Sequence, residues 1–91
     1  MALTAKQNEG RAADLVKAIL ALESANFHLD HATQHARDAR ETDAVTAGFR
    51  ADLAALRDEM KDAIVTAAET INFTPGEASA EAMTVQKFLA T

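Results

Sequence analysis

The most regular apolar pattern in the chain runs from Val45 to Ile71, where Val45, Phe49, Leu53, Leu56, Met60, Ile64, Ala67 and Ile71 follow one another at intervals of four, four and three. An 11-residue repeat of this kind averages about 3.67 residues per turn. It predicts a helix over about 43–72 whose apolar seam runs nearly straight, with little left-handed supercoil. Leu56 falls in the middle of that seam, so a charge placed there is expected to unfold the protein. Arg50, Arg57, Asp58, Lys61, Asp62 and Glu69 form the opposite, solvated face.

Upstream, a helix over about 4–40 begins at Thr4, because Gln7 stands three residues later and completes a capping box behind Leu3. Asn8 is the alternative cap. Leu15, Ile19, Leu22 and Leu29, flanked by Val16, Leu20 and Phe27, cover nearly half of its circumference. From Asp30 to Ala44 alanine is the only apolar residue, so this stretch cannot fill a conventional core. A turn is expected at Glu41, Thr42 and Asp43, which offer an N-cap and first-turn acids to the next helix. Gly48 as the first helix's terminator and an unbroken rod are the other two arrangements. A third helix over about 75–90 is announced by Thr74, Pro75, Gly76 and Glu77, with Thr as cap, Pro at the first helical position and Glu reaching back. Its apolar face is Ala78, Ala82, Val85 and Leu89, with Met83 and Phe88 beside them, and Phe73 precedes the cap.

The fold expected is therefore all-α: a long antiparallel helical hairpin plus a short third helix, in a single domain over 1–91. Helices of roughly 54 and 44 Å cannot be covered along their length by a third helix half as long. The uncovered surface predicts assembly as a homodimeric helical bundle. Composition sharpens this expectation. Ninety-one residues without a cysteine bury too little surface for a generous stability margin and have no disulfide to add to it. About a quarter of the residues are alanine, and Pro75 is the only proline, so little interrupts helix.

A net charge of −5 with scattered basic residues argues against nucleic acid or an anionic membrane as partner. It leaves a protein with a basic surface as the fitting kind. No apolar run approaches the ~18 residues of a membrane span, and the start MALTAKQNEG lacks a signal-peptide core, so a cytoplasmic protein is expected. Trp and Tyr, common anchors of sugar sites and base-stacking platforms, are absent. Nucleophile elbows, phosphate-cradling Gly loops, zinc-protease helices and paired Glu-x-x-His motifs are absent as well, and no enzymatic activity or cofactor is expected.

The one chemically suggestive cluster is His28, His31 and His35, within about 60° on one helix, with Asp38 just beyond. Imidazoles at i and i+3 or i+4 can share a divalent transition metal, with Asp38 as a further ligand or a partner to one. A site on one helix is open, so a second chain would have to complete it. The His-x-x-Lys-Gly pattern of helical phosphotransfer bundles has no counterpart, since His28 is followed by Leu29, Asp30 and His31. Ala18, Ala25, Ala32 and Ala39 recur every seven residues, with Ala21, His28 and His35 in the complementary position, a spacing that lets two helices approach closely. Glu23, Asn26 and Asp30 lie between the apolar stripes and call for partners such as Arg37, Arg50 or Arg57. The function expected is a non-enzymatic interaction or structural protein (scaffold, adaptor or small regulatory inhibitor) acting as a homo-oligomer. The alternative is a metal-binding or metal-responsive protein using the His face.

Overall fold

The computed structural model describes residues 2–91 and is built of three helices: α1 (Ala5–Asp38), α2 (Ala44–Ala68) and α3 (Ala80–Leu89). Thr4 caps α1 in a complete capping box, its hydroxyl accepting from the Gln7 N–H while the Gln7 side chain accepts from the Thr4 N–H. α1 and α2 form the long antiparallel hairpin, and α3 packs chiefly on α1. The molecule is elongated. Its radius of gyration is 17.0 Å, against about 12 Å for a compact chain of this length.

The hairpin is held by a seam whose period differs from the one the apolar residues of α2 suggest. On α1 one line of buried and half-buried residues runs through Asn8, Ala12, Leu15, Ile19, Leu22, Asn26, Leu29, Thr33 and Ala36, at alternating intervals of four and three. On α2 and just beyond it the corresponding line is Thr46, Arg50, Leu53, Arg57, Met60, Ile64, Ala67 and Ile71, again four and three. This is the heptad spacing of coiled coils, not an 11-residue repeat. The two lines share Leu53, Met60, Ile64, Ala67 and Ile71 but part toward the turn. There Val45, Phe49 and Leu56 rotate out of the interface and are 66%, 54% and 44% exposed. The cause lies in α1, whose heptad line can stay in contact only with another heptad line. Leu56 is thus beside the seam, not at its centre.

The core sits where three helices meet, at the end of the hairpin away from the turn. Ala12, Ala13, Val16 and Ile19 of α1, Ile64 and Ala67 of α2, Ile71 just beyond it, and Ala82 and Val85 of α3 are buried together. Small residues on α1 let α3 approach closely, and Phe73 and Phe88 close the sides. Two polar ties pin this end: Asn8 Nδ2 donates to the Ala67 carbonyl and to Thr70 Oγ1, and Ser79 Oγ donates to Glu9 Oε2 at 2.7 Å.

α3 starts five residues later than the Thr74–Glu77 signal predicts. That segment closes one turn, with the Glu77 and Ala78 N–H groups both donating to the Thr74 carbonyl. Gly76, at φ 85°, then leaves the right-handed helical region and the turn cannot propagate. Ser79 is the actual cap, accepting from the Ala82 N–H at 3.0 Å. α2 likewise ends at Ala68, short of residue 72. The N–H groups of Glu69, Thr70 and Ile71 donate three residues back, a tightened last turn that carries Ile71 into the core.

The hairpin turn falls where expected, and Gly48 lies inside α2. Arg40 adopts a left-handed conformation, φ 59°. Its N–H donates to the Arg37 carbonyl and the Glu41 N–H to the Ala36 carbonyl, a Schellman closure with arginine where glycine usually stands. Asp43 caps α2: the Thr46 hydroxyl and the Thr46 N–H both donate to its carboxylate. Those two bonds, the hydroxyl's first, hold the Asp43 carboxyl below its ordinary value of 3.8.

Two outcomes follow for the turn. Arg40→Gly relieves the left-handed strain and should raise stability by about 0.5–1 kcal/mol, seen as a higher denaturant midpoint at unchanged m-value. A carboxyl depressed in the folded state stabilises above its unfolded pKa, and that contribution is lost as pH falls through the folded value. The stability gap between the parent and Asp43→Ala should therefore be full at pH 7 and narrow below pH 3.8. A gap of constant size down to pH 2 would contradict the capping account.

Candidate functional site

The seam divides the hairpin into two sides of different character. On one side α3 covers the core half, running from Ser79 beside Glu9 to a crevice lined by Arg57, Lys61, Phe88, Leu89 and Thr91. Beyond its end two ion pairs continue along the same side, Glu23 with Arg57 at 3.3 Å and Asp30 with Arg50. Both acids and both arginines are seven residues apart, which is the heptad register expressed in charge. Leu20 and Phe27, past the reach of α3, are 55% and 57% exposed.

The other side has no cover from α3. It carries two open depressions, one lined by Ala25, His28, Leu29, Phe49, Asp52 and Leu53 and one by Asn8, Arg11, Ala63, Thr66, Ala67 and Thr70. Leu56 and Glu59 follow Phe49 and Asp52 by seven residues and extend the α2 edge of this face; Ala18 and Ala32 flank Ala25 by seven on the α1 edge. One edge is thus built of small residues and the other of half-exposed large ones.

The expected metal-ligating residues are all exposed. His28 turns toward the upper depression, and its ring meets Phe27 edge-on at 5.6 Å between centroids; His31 lies against Phe27 at 4.4 Å. Asp38 accepts a hydrogen bond from Gln34 Nε2 at 2.9 Å. Among the described residues no group of three or more His, Asp or Glu side chains is arranged to hold a metal ion. A site made of His28, His31, His35 and Asp38 would need donors from outside the chain.

The alanine heptad divides similarly. Ala18 and Ala25 are half-buried beside α2, and Ala32, Ala39, Ala21, His28 and His35 face solvent. Glu23 and Asp30 find the arginines the sequence offers, but on the exposed flank of the hairpin, not in a buried layer; such pairs contribute little stability and serve register. Asn26 alone of that trio takes a seam position. The Phe49, Asp52, Leu56 and Glu59 edge is not visible in the apolar pattern, which assigns Phe49 and Leu56 to the seam. The matching seven-residue spacing of Glu23 and Asp30 with Arg57 and Arg50 is the signal that reveals it.

Fold and face together define the class: an antiparallel helical hairpin, buttressed on one side by a short helix and open along the other. The chain matches no protein-family model, no curated protein and no solved structure. Among the described residues no helix is long and apolar enough to cross a membrane.

Proposed function

We propose that this chain is a non-enzymatic helical interaction protein that works as a homodimer, a scaffold, adaptor or small regulatory inhibitor whose acidic outer surface suits a partner with a basic one. The observation that carries the reading is the face left open by α3. It runs the length of the hairpin and exposes half or more of Phe49 and Val45, with Leu56 nearly so, over half-buried Leu53 and Leu29. An elongated single chain with a polar, thinly covered turn half gains most from association, because covering large side chains there adds the apolar burial that α3 supplies only at the other end. Beyond Asp52 and Glu59 on this face, further acids stand on surfaces away from it, among them Asp58, Asp62, Glu69, Glu77 and Glu81. A dimer therefore presents an acidic exterior.

Light scattering at micromolar concentration should give twice the chain mass of 9.7 kDa, with a melting temperature that falls on dilution. Monomeric mass with concentration-independent melting would remove the proposal. Two substitutions separate fold from assembly. Ile64, fully buried, should not tolerate Ile64→Asp, which costs about 3 kcal/mol or more and unfolds the chain. Leu56→Asp should leave a helical chain of monomeric mass, because Leu56 lies outside the seam.

A further inference from the structure

We infer that the open face is occupied by a second copy of this chain related by a two-fold axis parallel to the helices, so that α1 of each copy lies on α2 of the other. The inference rests on the self-association proposed above and specifies its geometry. Three properties of the face point to it, and they concern size, charge and extent.

Size comes first. The α1 edge is small, with Ala18, Ala25 and Ala32 seven residues apart, and the α2 edge is large, with Phe49 and Leu56 seven apart. The ion pairs of Glu23 with Arg57 and Asp30 with Arg50 fix which residues stand level across the hairpin: His31 with Phe49, Ser24 with Leu56, and His28 with Asp52. A two-fold parallel to the helices involves no shift along them, so levels are kept between copies. The partner's Leu56 then enters between Ala21 and Ala25, and the partner's Phe49 between His28 and Ala32. This is knob-into-hole packing of large against small at a shared heptad period. A two-fold perpendicular to the helices would instead lay alanine on alanine and Phe49 and Leu56 on their own copies, leaving the edges mismatched.

Charge selects the same axis. The α2 edge carries Asp52 and Glu59 and no cation, since Arg50, Arg57 and Lys61 all lie on the side of α3 and the ion pairs. The α1 edge carries Arg11 and one acid, Asp14, with His28 and His35 further along, and so has no excess of acid to set against Asp52 and Glu59. Setting α1 on α2 of the partner brings the partner's Asp52 level with His28 and the partner's Glu59 level with Ala21, neither of them against a carboxylate. The perpendicular axis would bring the carboxylates of the two copies together.

Extent is adequate. Two helices about 10 Å across and some 38 Å long present a footprint of ~750 Å², close to the ~800 Å² per partner of a standard stable interface.

The test is a charge exchange. Two variants are made, one with Asp52→Lys and Glu59→Lys, the other with Ala21→Glu and His28→Glu. All four positions are exposed, so helical content should match the parent. Alone, the second variant sets carboxylates against the partner's Asp52 and Glu59 at both contacts, and its dissociation constant should rise about ten-fold or more. Mixed with the first, it should form a heterodimer with near-parental affinity or better, since its glutamates then meet lysines and the other contacts remain parental. As a second measure in this cysteine-free chain, Ala21→Cys should form a disulfide with Leu56→Cys in a mixture of the two single variants, and not with itself. A dimeric parent whose second variant stays as tightly dimeric alone, or whose Ala21→Cys links to itself, overturns this arrangement while leaving self-association standing. A monomeric parent overturns the self-association beneath it.

Discussion

Everything in this molecule depends on the heptad contact between α1 and α2. Two helices can remain in contact over nine seam positions only if their buried lines share one period, and α1 sets that period at 3.5 residues. Once α2 is held to it, the apolar residues of α2 that depart from it toward the turn are displaced from the interface. Ile64, Ala67 and Ile71 stay in, Leu56 lies at the border, and Phe49 and Val45 are out. The face attributed to self-association is therefore the geometric residue of two periods that agree at one end of the hairpin and not at the other.

The same constraint grades the seam along its length. At the core end its positions hold Leu15, Ile19, Ile64 and Ile71, and α3 adds Ala82 and Val85 over Ala13 and Val16. Toward the turn they hold Asn26, Thr33, Thr46, Arg50 and Arg57, which cannot exclude water as aliphatic residues do. Stability must then be uneven. The core half carries the cooperative unit, and the turn half depends on the Asp43 cap, the Arg40 closure and two exposed ion pairs, each of modest strength. A partner surface across Phe49 and Leu56 would supply what the turn half lacks, which ties assembly to local order.

Much of the fold was legible in the sequence. The capping box at Thr4, the alanine-rich connection and the acids at the turn placed the long hairpin and its connection, because such local signals need no tertiary context. The start of α3 departs from the Thr74 cap signal because Gly76, two residues on, adopts a left-handed conformation that ends the turn. The period of the α2 seam was misread for a related reason. Apolar residues record where burial is favourable, but which line is buried depends on the facing helix, and Arg50 and Arg57 occupy seam positions that hydrophobicity would never assign to them. The histidines and alanines of α1 were identified as a group, whereas their opposite edge, Phe49, Asp52, Leu56 and Glu59, could be found only once the ion-pair register was known.

The account's central claim is that the turn half of the hairpin is completed by a second copy, and backbone hydrogen exchange as a function of protein concentration addresses it most directly. Amides of α2 from Ala51 to Leu56 should become more protected as concentration rises, while those around Ile64 and Val85, already enclosed by three helices, change only as far as global stability does. Protection in Ala51–Leu56 that is the same from low to high micromolar concentration would contradict it.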